Sequence, residues 1–186
     1  MALSDVFASN ILVRWLRGNP GRYDLLTRMV GPRLGDRLLT VGAGDPGLAT
    51  AVAKITGLSG RAVALAISGE EAARLTAASG RDGVLLDVVE SPPGPLPFED
   101  GDFDLALIDV ATTDIDAVLP EIRRVLRPGG RVVLVVRQKA PGAPPAARVQ
   151  QATGTTFRGA RVLFERDGYA IVEALKGQPA PSSPQA

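Results

Sequence analysis

The 186-residue chain contains no histidine and no cysteine. The first absence removes Ser-His-Asp triads and histidine general bases. The second removes disulfides and thiol nucleophiles, and the two together remove Cys/His zinc sites. Oxygen-only metal sites stay open, but no EF-hand-like spacing of acids is present. Aromatic residues make up 4% of the chain, too few to furnish a stacking surface for RNA. Excess charge is missing as well: 21 Lys and Arg against 20 Asp and Glu leave +1. That balance gives no electrostatic drive toward nucleic acid or an anionic membrane. No apolar run approaches the ~20 residues needed to span a bilayer. Met1–Gly18 lacks the basic start of a signal peptide, and Asn10 and Arg14 interrupt its apolar stretch. These absences set the expectation of a cytoplasmic protein with no membrane span and no nucleic-acid partner.

A hydrophobic content of 45% with 22% charge, at this length, fits one globular domain with a sizeable core. Phe7, Ile11 and Trp15 follow i, i+4 spacing, and Tyr23–Val30 reads as a second short helix, so residues 1–34 form a helical segment. From residue 35 to 176 strand and helix signals alternate. Strands are expected at Arg37–Val41, Arg61–Ile67, Val84–Val88, Phe103–Asp109 and Arg131–Val136. Helices are expected at Leu48–Thr56, after the Ser68/Glu71 capping box, and at Ile115–Leu126, stopped by Pro128-Gly129-Gly130. That order implies a parallel sheet with helices on both faces. Lys139–Pro145 reads as a loop and Ala146–Ala152 as a short helix. Asp167-Gly168 then joins two strand-like runs, Ala160–Arg166 and Tyr169–Leu175, as a tight antiparallel hairpin. Residues 177–186, rich in Pro and Ser, read as a disordered tail.

Two segments sharpen this. Pro97-Phe98-Glu99-Asp100-Gly101-Asp102-Phe103-Asp104 and Arg124-Val125-Leu126-Arg127-Pro128-Gly129-Gly130-Arg131 resemble signature segments of class I S-adenosylmethionine (SAM)-dependent methyltransferases of the ubiquinone/menaquinone C-methylase type. The resemblance runs from about Gly31 to Lys176. It implies an α/β fold: a Rossmann-like seven-stranded methyltransferase sheet, five parallel strands plus the antiparallel hairpin. It also implies S-adenosyl-L-methionine as cofactor and a small molecule as substrate. A partner protein or a second copy of the chain completing the site stays an open alternative.

The loop Val41-Gly42-Ala43-Gly44-Asp45-Pro46-Gly47 follows a strand and opens a helix, the context in which glycines let a ligand approach the backbone. The resemblance makes Gly42, Ala43, Gly44, Asp45 and Gly47 cofactor contacts. It adds Ala66 and Ile67 at the end of the second strand, and Asp87 with Val88 at the end of the third, on the adenine. Asp109 ends the fourth strand, where ligands of open parallel sheets bind, and is the candidate catalytic group. Arg137 faces the same rim. It is read as a surface residue, with binding of an acidic substrate as the alternative.

Two positions depart from the family pattern. Thr40 stands where an acid precedes the first glycine. Ala66 stands where an acid takes both ribose hydroxyls. A hydrogen bond to a charged group contributes roughly 1.5–3 kcal/mol, about 10- to 150-fold in affinity. Losing both carboxylates keeps a second reading open, a catalytically inactive methyltransferase-like subunit for binding or assembly. Ala66 also argues against a nicotinamide dehydrogenase, which needs an acid in the same place.

Overall fold

The computed structural model describes residues 21, 23–42, 44–91 and 94–178. The Phe7/Ile11/Trp15 stripe, Ala43 and the tail beyond residue 178 lie outside the described residues. Seven strands form one sheet: β1 Arg37–Val41, β2 Arg61–Ala66, β3 Asp87–Glu90, β4 Phe103–Asp109, β5 Leu126–Arg137, β6 Arg158–Arg166 and β7 Tyr169–Leu175. Their order is β3-β2-β1-β4-β5-β7-β6. The first five are parallel, and β7 runs antiparallel to both β5 and β6. Among the described residues the α-helices are α1 Asp24–Val30, which precedes β1, and α2 Pro46–Thr56, α3 Gly69–Asp82, α4 Ile115–Val125 and α5 Ala146–Thr156, which lie between strands.

The central strands are apolar on both sides because both faces are covered. On one face Leu39, Val63, Ile108 and Leu134 pack against Leu119 and Ile122 of α4 and Val149 of α5. On the other, Leu38, Leu105 and Val133 pack against Leu26 and Val30 of α1 and Leu48 and Val52 of α2. Local chemistry sets the helix ends. Ser68 accepts from the Glu71 amide at 3.3 Å, and the Glu71 carboxylate accepts from the Ile67 amide at 2.7 Å. Asp114 caps α4 through the amides of Asp116 and Ala117. The hairpin turn has φ 57° at Asp167 and 82° at Gly168, the paired positive values that an Asp-Gly type I′ turn requires.

Several expected boundaries shift by one or two residues, and three move further. The third strand is Asp87–Glu90, not Val84–Val88. Gly83 closes α3 in the left-handed conformation and the Val84 amide bonds back to Ser79, so Val84–Leu86 is a connector. The fifth strand begins at Leu126 rather than Arg131, because Gly129 and Gly130 exchange backbone hydrogen bonds with Lys176 and draw the Pro-Gly-Gly run into the sheet. Helix α5 continues four residues past Ala152, to Thr156.

The two signature segments meet in space. The Arg124 guanidinium binds the carbonyls of Leu96 and Phe98 and the carboxylates of Asp100 and Glu121. Arg127 pairs with Asp104, which also accepts from the Arg37 amide. Burial alone would raise the Asp104 carboxyl; the Arg37 and Arg127 hydrogen bonds hold it below its ordinary value. These residues stand at or before the starts of the strands, so the segments fasten the fold. A second network does the same for the first helix. Arg131 donates to the Val30 and Gly31 carbonyls and pairs with Glu173 at 3.0 Å, and Arg161 reaches Glu173 from the other side at 2.9 Å.

Candidate functional site

The order of strand addition reverses between β1 and β4: successive strands add outward to one side up to β3 and to the other from β4. Ligands of open parallel sheets bind beyond the carboxyl ends at such a switch point. The glycine loop and the turn after β4 both lie there. Their fit is tight. A Cβ on Gly42 (φ +80°) would lie 2.6 Å from the hydroxyls of Thr112 and Thr113. On Gly44 it would collide with Arg137 Nη2 and lie 2.7 Å from Asp109 Oδ2. On Gly47 it would lie 2.6 Å from the Tyr23 hydroxyl. Asp45 occupies the N-cap of α2 without capping it by its side chain; its carboxylate accepts from Tyr23 Oη at 2.6 Å.

Asp109 and Arg137 end β4 and β5 and form an ion pair of 3.1 Å against the glycine loop. Asp109 Oδ1 also accepts from the Ala111 amide at 3.1 Å. Burial pushes the Asp109 carboxyl up, and neighbouring Asp45 adds to this. The attraction of Arg137 and the Ala111 hydrogen bond only partly offset them. Arg137 is therefore not the surface arginine expected from sequence. Its Nε is buried with no partner among the described residues. A buried donor left in that state costs about 1–3 kcal/mol.

Three spaces surround this pair. The largest, about 420 Å³, runs between β1, β2 and α4 and is walled by Val41, Leu65, Ile67, Thr112, Thr113 and Val118. That volume lies within the range of small-molecule sites. A second, about 280 Å³, opens beside Asp45, Arg137, Lys139, Asp167 and Tyr169. A third, bounded by the glycine loop, Leu48, Leu107 and Asp109, encloses only about 10 Å³, room for about one water at most.

The remaining candidates divide. Ile67 is 48% exposed and walls the large cavity. Ala66 is fully buried beneath it among Ala49, Ala64 and Leu75. Thr40 is buried too, and its hydroxyl donates to the Val63 carbonyl at 3.3 Å. Asp87 starts β3 instead of ending it. It is paired in register with Val63, and its carboxylate lies 3.9 Å from Arg61, on the edge of the sheet away from the cavity. Val88 is mid-strand and packs on the Ala64/Ala66 cluster. The acid that ends β3 is Glu90, the register partner of Ala66. Its carboxylate lies 3.6 Å from where a Gly69 Cβ would be, at the start of α3. Sequence reasoning also missed Tyr23, Thr112, Thr113 and the pairing of Arg137 with Asp109. The paired threonines beside Asp109 were the one local signal. Among the described residues no cluster of three or more acids is placed to hold a metal, and no helix is long and apolar enough to cross a membrane.

This constellation, a glycine loop at the switch point of a 3-2-1-4-5-7-6 sheet, defines a Rossmann-like nucleotide-cofactor protein. The family model described as "Methyltransferase domain" matches residues 39–134, more than half of the chain. The chain belongs to the class I SAM-dependent methyltransferase family. The ubiquinone/menaquinone biosynthesis C-methyltransferase of Ectopseudomonas mendocina is 27% identical over 191 residues, covering 95% of this chain and 70% of that protein. The 2-phytyl-1,4-naphtoquinone methyltransferase of Synechococcus elongatus is 30% identical over 127 residues, covering 63% of this chain and 52% of the relative. The chain thus spans only about half the length of that second protein. The crystal structure of a SAM-dependent methyltransferase from Aquifex aeolicus superposes with a TM-score of 0.67 at 18% identity, over 83% of this chain and 89% of that one, a likeness of fold.

The family's cofactor is S-adenosyl-L-methionine. It joins a nucleoside to a zwitterionic amino-acid end through a sulfonium. The large cavity, apolar with hydroxyls at its rim, suits the nucleoside. Asp109 and Arg137, paired at 3.1 Å at the ends of β4 and β5, carry the two charges that would match its amino-acid end.

Proposed function

We propose that the chain transfers a methyl group from SAM to a small-molecule acceptor. The observation that carries this reading is the cavity of about 420 Å³ at the switch point, next to a loop whose three glycines leave no room for a side chain. Val41, Leu65 and Ile67 would pack against the base, and Thr112 and Thr113 offer hydroxyls at the rim. Gly42, Gly44, Asp45 and Gly47 would contact the cofactor, with Ala43 in the same loop. Ala66 supplies no acceptor for the ribose diol. Glu90, level with it on the next strand, is the carboxylate that would take its place. The domain proposed is residues 35–176.

When bound, the sulfonium supplies an activated methyl and its own leaving group, so the chain has to position rather than activate. The open space beside Arg137, Lys139 and Tyr169 is the acceptor side. With no imidazole in the chain, acceptors needing a strong base are disfavoured. An electron-rich ring carbon needs none before attack, and the two relatives named above are quinone methyltransferases. The acceptor proposed is a quinol-type ring. Asp109, already engaged by Arg137, serves to orient bound groups instead of acting as a free base.

Calorimetric titration with SAM and S-adenosylhomocysteine tests the cofactor half. Dissociation constants below millimolar support it, and no heat at millimolar ligand overturns it. Transfer of labelled methyl from SAM to a reduced naphthoquinone tests the acceptor half; a labelled amine or carboxylate with an unlabelled quinol would overturn it.

The second reading, an inactive binding or assembly subunit, rests on one observation besides Thr40 and Ala66. Leu34, Leu58 and Leu85 are 76%, 87% and 76% exposed. Leu34 reaches over Gly57, next to the hollow that Leu58 and Leu85 line, which gives an apolar surface for a partner. It predicts no cofactor binding together with stable self-association or capture of a partner chain.

A further inference from the structure

We propose that the acceptor carries an anionic group, a carboxylate on its ring, and that the turn between β6 and β7 holds it. The inference rests on the methyl-transfer reading above and narrows the class of acceptor. The sheet sets the geometry. Tyr169, the first residue of β7, pairs in register with Arg137 at the end of β5 and with Arg166 at the end of β6. Residues directly opposite on antiparallel strands share a face, so the three side chains stand in a row with the phenol in the middle. Below them on that face pack Val135, Phe164 and Ile171. The turn adds a third cation. The Gln138 amide donates to the Gly168 carbonyl at 2.9 Å, which ties the end of β5 to the turn. A Cβ on Gly168 would lie 3.2 Å from Lys139 Cε and 3.4 Å from its Cδ, so the Lys139 stem lies against the turn. Arg137, Lys139, Gly168 and Tyr169 line the space of about 280 Å³, which Asp45 of the glycine loop also borders.

The charges around this space are unevenly committed. Asp45 accepts from Tyr23, Glu165 accepts from Gln138 at 2.7 Å, and Asp109 is paired with Arg137. Lys139 and Arg166 are exposed and have no acidic partner among the described residues. The Tyr169 hydroxyl has no hydrogen-bond partner among them either. On the other side of the balance, Asp167 in the turn is the one acid here left uncommitted among the described residues. A carboxylate supplies the acceptor that the two cations and the phenol lack, and the acceptor's ring has the Tyr169 ring to lie against. A cationic acceptor would meet Lys139 and Arg166 with Asp167 alone to hold it. With the carboxylate at the turn, the same space brings the other end of the acceptor to Asp45 and the glycine loop. The carboxylate is a handle, and the ring carbon stays the nucleophile.

The test is calorimetry on the full chain saturated with S-adenosylhomocysteine. Two reduced rings are compared, 2,5-dihydroxybenzoate and 1,4-dihydroxybenzene, which differ by the carboxylate alone. The wild type should prefer the carboxylated ring about 10-fold, since exposed ion pairs give up to about 5-fold each. Lys139→Gln and Arg166→Gln should each cut that preference about 3-fold, and the double variant should nearly abolish it. Lys139→Arg should keep it, because the charge stays. Arg74→Gln removes an exposed charge on α3 and should leave the preference unchanged, which separates the local site from the effect of net charge. Equal affinity of the wild type for the two rings, affinity for neither, or an undiminished preference in the double variant overturns the inference while the cofactor reading stands. A wild type that binds no S-adenosylhomocysteine overturns both.

Discussion

Two buried carboxylates of the same sheet have opposite fates. Glu173 and Asp109 are almost equally covered, with side chains 10% and 8% exposed. Burial alone would raise both. At Glu173 the hydrogen bonds of Arg161 and Arg131 outweigh it and hold the carboxyl below its ordinary value. At Asp109 a single guanidinium does not, and the carboxyl is raised. Both arginines facing them lie on β5, Arg131 at its middle and Arg137 at its end. Arg131 also uses its donors on two backbone carbonyls; Arg137 leaves one buried donor unmatched among the described residues. The difference separates a charge network that fixes the fold from a pair left incomplete among the described residues, at the carboxyl ends of the parallel strands.

The comparison can be broken at its strong end first. Arg131→Ala removes three contacts and loosens α1, and is expected to cost about 3 kcal/mol in urea unfolding, the low end for breaking a buried pair because Arg161 still faces the carboxylate. Next comes pH. Glu173 ionises more readily folded than unfolded, so its stabilisation is present at neutral pH and is lost as pH falls through its lowered folded value. Asp109 has the reverse sign: its folded value is raised, so its contribution is present below the ordinary carboxylate range and is lost as pH rises through the folded value. Unfolding free energies from acid to neutral pH should therefore rise less steeply in Glu173→Gln than in wild type, and more steeply in Asp109→Asn. At neutral pH, Asp109→Asn should change stability by less than about 1 kcal/mol, since it removes a costly buried charge along with its bond. Arg161→Ala should be smallest, about 0.2–1 kcal/mol, because that side chain is 69% exposed. Equal losses at Asp109 and Glu173 would erase the distinction.

The parts of the fold written in local chemistry were readable. Strands β1, β4 and β7 begin and end where the apolar pattern places them, and Asp167-Gly168 forms the turn its residues demand. The third strand was misplaced because Val84–Leu86 is apolar for another reason: Val84 and Leu86 pack back from the connector onto the core. That slip carried Asp87 to the wrong edge and hid Glu90. In the site, the glycine loop was legible, but not what it touches. The contacts of Gly44 with Arg137 and of Gly42 with Thr112 join residues far apart in the chain, and no spacing rule encodes them. Thr40 and Ala66 were read correctly as non-acidic. Their burial, which makes each a packing residue here, belongs to the assembled sheet.

The central claim is that the cofactor occupies the switch-point edge of this sheet. The most direct measurement is a titration of the ¹⁵N-labelled chain with S-adenosylhomocysteine, following backbone amides by NMR. The account predicts saturable shifts at Gly42, Gly44, Ile67 and Thr112, with Gly129 and Gly130 near the opposite edge unmoved. Unchanged amides at the glycine loop with millimolar ligand, or shifts confined to other surfaces, would contradict it.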